Sequence, residues 1–161
     1  MEQHDPGVTI LERLEAIEDI TLLKGRRDRL VDTQDWVALE ALHAPDYHGY
    51  NGDYPPFTSA AEMIAGVKVI MKDLRTAHHS HTPEITVHSP TTASGIWGMT
   101  GISLWQQGDE EHWFLATGHY FETYEKRDRR WLFTSRRLEY VLTKTSPGGI
   151  FPPPAPDRTT G

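Results

Sequence analysis

Apolar residues in the first part of the chain recur at helical spacing. Ile10, Leu14 and Ile17, then Ile20, Leu23, Leu30 and Val31, fall on roughly one helical face with charges elsewhere, which predicts a long helix over residues 8–31. Gly25 weakens that pattern without ending it. Asp32, Thr33 and Asp35 are capping residue types, and a second, short helix is predicted from about Asp35. The stretch APDYHGYNGDYPPF then reads as a loop, with a short strand near residues 47–50. A third helix follows within TSAAEMIAGVKVIMKDL: Ser59 and Glu62 match a capping box, and Met63, Val67, Ile70 and Leu74 form its apolar face.

Beyond residue 83 the period changes. The segments EITVHS, TASGIWGMTGISLWQQ, HWFLATGHYFETYEK and RWLFTSRRLEYVLT are rich in β-branched and aromatic residues, and SPTT, QGDEE and RDRR separate them as turns. Long strands joined by such short connections predict an antiparallel meander. The last 16 residues carry five prolines, so residues 146–161 are expected to be an extended tail and residues 1–145 a single domain. Helices followed by a curved antiparallel sheet make an α+β fold, and a curved sheet covered by helices encloses a conical pocket of the kind small molecules occupy.

Composition narrows the partners. The chain has 161 residues, 37% hydrophobic and 24% charged, as in an ordinary globular domain. A net charge of −7 and the lack of a basic stripe argue against nucleic acid. With no cysteine, disulfides and thiolate chemistry are excluded. No apolar run approaches the roughly 20 residues that cross a bilayer, and the acidic start MEQHDPG lacks a signal-peptide pattern, so residence in the cytoplasm is expected.

The candidate chemistry lies in LRTAHHSHTPEI, where His78, His79 and His81 occupy three of four positions. On an extended segment His79 and His81 share one face and His78 shares the other with Ser80. An H-x-H pair can chelate a metal, but it needs a third ligand. Glu84 is the nearest, a proline intervenes, and no HExxH motif supports it, so no metal is assigned. Proton transfer needs one imidazole and an acidic partner that fixes its tautomer. On the last strand Arg136 and Arg137 point to opposite faces, so one of them reaches a cavity and stabilises negative charge there. Arg137 is assigned that place, with a cross-strand pairing to Glu122 or Glu139 as the structural alternative.

Three segments, IEDITLLKGRRDRLVDTQDWVALEALHAPD, LRTAHHSHTPEITV and GHYFETYEKRDRRWLF, resemble the nuclear transport factor 2-like superfamily, and within it the SnoaL-like and scytalone dehydratase-like enzymes. The resemblance spans residues 10–143 and implies a cone-shaped α+β barrel that forms homodimers. It also implies a catalytic pair of His78 and Asp32, with Tyr50 polarising a substrate oxygen. A register slip of one residue would give the role to His79. Trp97 and Tyr120 stand where the dehydratase has a polar histidine and asparagine, and Val31 stands where it has a tyrosine. The resemblance therefore directs Trp97 and Tyr120 into the pocket; Met63 and Met99 are expected to shape the same apolar cavity, and Tyr47, Tyr50 and Tyr54, on the loop, to line its mouth. The implied activity is a lyase or isomerase without cofactor, dehydratase-like, acting on a small apolar ring or carbonyl compound. The alternative within the same fold is a non-catalytic ligand-binding or dimerisation module.

Overall fold

A computed structural model describes residues 7–51 and 55–151. Helix α1 runs from Ile10 to Asp32, α2 from Trp36 to Glu40 and α3 from Ala60 to Met71. Strand β1 spans His43–Asn51, β2 Arg75–Ser89, β3 Thr92–Gln107, β4 Glu110–Arg127 and β5 Arg130–Thr145. Each helix begins at a residue whose side chain accepts an otherwise orphaned backbone N–H. Thr9 caps α1 in a reciprocal box with Glu12, Asp35 caps α2 through the Ala38 amide, and Ser59 caps α3 through the Glu62 amide. The return half of the α3 box comes from Glu62 to Thr58 rather than to Ser59.

The strands form one sheet in the order β1-β5-β4-β3-β2. Strands β2 to β5 make the expected antiparallel meander, while β1 pairs with β5 in parallel. The sheet is therefore mixed, and it stays open, because β1 and β2 are its two edges. The three predicted turns are all present as two-residue connections. Asp128 and Arg129 both have positive φ (48° and 64°), as a turn matching the right-handed twist of its strands requires.

Alternation along β3 buries one face under the helices. The core is built from Ile20, Leu23 and Val31 of α1, Met63 and Ile64 of α3, and the sheet's Trp97, Tyr120, Tyr124 and Phe133. The start of α1 departs from its predicted face: Ile10 and Leu14 are exposed, and Ile17 is only half-buried. The buried stripe instead continues C-terminally through Lys24, Arg27 and Asp28, positions that keep helical spacing with Ile20 and Val31. Among the described residues no helix is long and apolar enough to cross a membrane.

Candidate functional site

Asp32 is the last residue of α1, and β2 passes directly beside it. Its carboxylate accepts three hydrogen bonds from that strand. Thr76 Oγ1 donates to Oδ1 at 2.8 Å, the His78 amide donates to Oδ2 at 2.8 Å, and His78 Nδ1–H donates to Oδ1 at 2.6 Å. Burial pushes the Asp32 carboxyl upward. The bonds from the His78 ring, the His78 amide and Thr76 outweigh burial, and the carboxyl is held below its ordinary value. The alternative role of Asp32 as a helix cap is not the one seen, since Asp35 caps the following helix.

With Nδ1 engaged by Asp32, the His78 ring presents Nε2, which has no hydrogen-bond partner among the described residues. The ring lines a cavity of about 150 Å³ between helices and sheet, a volume that accommodates a benzene-sized ring. Across β3, His78 pairs with Gly101, where an added Cβ would come 3.6 Å from the imidazole Cδ2. His79 and His81 are exposed. His81 shares its nitrogens with Thr82 and Thr100, and the strand then bulges at Thr82, whose φ is 43°. Among the described residues no cluster of three or more His, Asp or Glu side chains is placed to hold a metal.

The other expected pocket residues divide. Met63, Met99 and Tyr120 line the cavity. Trp97 and Tyr47 do not line it: both are buried in the core, and Trp97 Nε1–H donates to the Tyr124 hydroxyl at 2.8 Å. Tyr50 and Arg137 do not line it. They are register partners on β1 and β5 and face a separate shallow groove with Ile96 and Phe121. Arg137 stacks on Phe121, 4.4 Å from the ring centroid, and pairs with Glu139. Tyr54 lies outside the described residues.

A bulge explains why Arg136 replaces Arg137. Trp131 and Phe133 point inward, and strict alternation from them would carry Arg137 to the core. Thr123 pairs with Ser135 and Tyr124 with Phe133, so Thr134 is an extra residue that reverses the parity. Arg136 and Leu138 then face the cavity. Tyr140 follows Leu138 onto the cavity side by simple alternation, and a second bulge, with Val141 as the extra residue between the Gly118–Tyr140 and Thr117–Leu142 pairs, leaves Val141 and Leu142 exposed.

A buried charge cluster adjoins the cavity. Lys24 Nζ donates to Glu122 Oε1 at 2.5 Å, with both side chains almost fully buried. The Tyr124 hydroxyl donates to Glu122 Oε2 at 2.6 Å. Burial first, and then Glu122, push the Tyr124 phenol well up, so it remains a donor. Burial pulls the Lys24 ammonium down to about 8 against the attraction of Glu122, which leaves it charged at neutral pH. Arg136 lies over the Tyr120 ring at 4.0 Å, and Lys24 sits on that same ring at 3.9 Å. Arg27 and Arg136 are both buried and both line the cavity.

The start of the C-terminal segment closes one side. Ser146 accepts from the Trp113 amide at 3.1 Å and bonds His112 Nδ1 at 2.9 Å. Gln107 holds the Gly148 carbonyl and the Ile150 amide. Phe151 thereby reaches the cavity and stacks on Phe114, with ring centroids 4.1 Å apart. A proline-rich stretch offers no periodicity from which this anchoring could be read. Residues 152–161 lie outside the described part.

Several solved structures share this architecture at low identity. A scytalone dehydratase-like protein from Novosphingobium aromaticivorans is 21% identical, with a TM-score of 0.77 over 84% of this chain and 91% of that one. A hexachlorocyclohexane dehydrochlorinase, LinA Type2, is 19% identical with a TM-score of 0.78, covering 91% of this chain and 99% of its own. LinA-type3 from Novosphingobium barchaimii, also a hexachlorocyclohexane dehydrochlorinase, is 19% identical with a TM-score of 0.77 over 91% and 100% of the two chains. These neighbours have the nuclear transport factor 2-like cone fold. The SnoaL-like domain model matches residues 12–137, most of the chain, and the protein therefore belongs to the SnoaL-like domain family.

Proposed function

We propose that this protein is a cofactor-independent lyase or isomerase in which His78, held by Asp32, removes a proton from carbon next to an activating group. The observation that carries the proposal is the 2.6 Å contact between His78 Nδ1 and Asp32 Oδ1, made by a ring that lines a largely apolar cavity. Asp32 fixes the tautomer with Nδ1–H and stabilises the imidazolium once Nε2 has taken the proton. The imidazolium then returns that proton to a departing hydroxyl, giving water loss, or to another carbon of the same substrate, giving a double-bond shift. Dehydration is the preferred reading, because the neighbours named as a dehydratase and as dehydrochlorinases are both named for eliminations. A cavity furnished with these groups supports an enzyme over a non-catalytic ligand-binding or dimerisation module. Tyr50 is given no part in this mechanism.

The test is a panel of cyclic β-hydroxy and β-halo carbonyl compounds, incubated with enzyme in deuterated buffer without cofactor and followed by NMR. Elimination or deuterium exchange that disappears in His78→Ala supports the proposal. Turnover unchanged in His78→Ala overturns it. We also propose a homodimer, because Ile102, Leu115 and Leu142 leave apolar surface exposed on strands whose other face lines the cavity. Sedimentation showing only monomer at micromolar concentration would rule this out.

A further inference from the structure

The buried cluster has more positive than negative charge. Lys24, Arg27 and Arg136 are three cations, and Glu122 and Asp28 are the two buried carboxylates among them. Asp32 is already committed to His78 and Thr76. Glu122 spends its two oxygens on Lys24 and Tyr124, and Arg136 Nε reaches it only at 3.8 Å. Arg27 has no carboxylate within ion-pair distance among the described residues, and its Nε, like that of Arg136, lacks a hydrogen-bond partner.

Desolvation pulls Arg27 below its ordinary value, and the next cause is repulsion by Arg136. A buried guanidinium without a paired anion is costly, since each ion loses several kcal/mol of hydration that only close countercharge returns. Arg27 is 4% exposed and Arg136 is 7% exposed, yet both line the cavity that His78 also lines. The guanidinium fork matches a carboxylate better than any other side chain does.

We propose that Arg27 and Arg136 form an anion-recognition subsite, so that the substrate of this cavity carries a carboxylate in its ground state, attached to a small apolar body. The inference rests on the cavity being the substrate site, as under the proposed function. The carboxylate supplies the countercharge that Arg27 lacks, with Arg136, already 3.8 Å from Glu122, as the second cation of the subsite. The apolar body lies against Met63, Met99 and Leu138, and a carbon acid on that body meets His78. Binding through the carboxylate fixes which proton faces Nε2, so the subsite sets regiochemistry as well as affinity.

The probe is benzoate, with benzamide as its neutral counterpart, and binding is read by titration calorimetry. Benzoate should bind wild-type protein at least tenfold more tightly than benzamide. Arg27→Gln should abolish that preference, and Arg27→Lys should retain part of it. Equal binding of benzoate and benzamide to wild-type protein overturns the proposal, whatever the variants do. So does a preference that survives in a folded Arg27→Gln protein. The wild-type comparison needs no variant, so it decides the matter even if Arg27→Gln fails to fold. Carboxylate preference without His78-dependent exchange would sink the elimination reading and leave the subsite standing. His78-dependent exchange without the preference would do the reverse.

Discussion

Replacing Glu122 by Gln puts the buried charge cluster under the greatest strain for the smallest change of shape. The carboxylate takes the Lys24 ammonium at 2.5 Å on one oxygen and the Tyr124 hydroxyl at 2.6 Å on the other, with its side chain fully buried. The amide keeps one acceptor and turns an N–H₂ toward a donor. It also leaves Lys24, Arg27 and Arg136 facing Asp28 alone among the buried carboxylates. Removing one partner of such a pair costs about 3–5 kcal/mol. For a chain of this length about 2–4 °C of melting temperature goes with each kcal/mol, so the variant should melt about 6–20 °C lower. Part of the cost returns at alkaline pH. Lys24 already titrates near 8, and without Glu122 it falls further, while its unfolded value stays near 10.4. Between those values the unfolded chain binds more protons, so stability rises with pH, by up to about 1.4 kcal/mol per unit. In the variant that rise begins below pH 8, whereas in the wild type Lys24 contributes it only from about 8 upward. Urea denaturation of both proteins from pH 6 to 9 reads both effects. A midpoint shift worth less than about 1 kcal/mol, with no difference in pH dependence, would refute the reasoning.

Three further outcomes are expected. Gly118→Ala should cost about 1–3 kcal/mol in urea denaturation, because a Cβ there runs into the Glu139 carbonyl oxygen and the Tyr140 Cα of the neighbouring strand; a neutral substitution would show that the bulge yields easily. Phe151→Ala should lose about 0.5–1.5 kcal/mol from its stack on Phe114 and should speed benzoate dissociation in stopped-flow measurements. An unchanged rate would remove Phe151 from the cavity wall. The Asp32 carboxyl sits below its unfolded value in the folded chain, so its stabilisation is complete above about pH 4 and fades as pH falls through the folded value. Asp32→Asn should therefore flatten the acid side of the stability profile, and identical acid limbs would contradict the hydrogen bonding described.

The sequence exposed the elements more readily than the directions of their side chains. Alternating and helical periods, caps and turns identify three helices and the meander, because each is a local rule repeated over many residues. The parallel pairing of β1 is not local. Its partner β5 lies some 80 residues away, and nothing within APDYHGYN distinguishes a parallel edge strand from a loop. Alternation separates His78 from His79 and His81, and of the three only the His78 ring lines the cavity. Arg137 was lost to a single inserted residue at Thr134, which period-two reasoning cannot anticipate in a segment as polar as TSRR. The buried cluster was legible in principle. Lys24, Arg27 and Asp28 stand where the apolar stripe between Ile20 and Val31 should continue, and charges on that stripe signal a functional interior.

The dyad itself is tested most directly by a double-mutant cycle on the rate of elimination or exchange, using His78→Ala, Asp32→Asn and the two combined, each checked for folding. If Asp32 acts only through His78, each single change lowers kcat/KM by about 10²–10⁴-fold, and the double variant is no slower than His78→Ala alone. Losses that multiply, or an Asp32→Asn enzyme at full rate, would contradict the account.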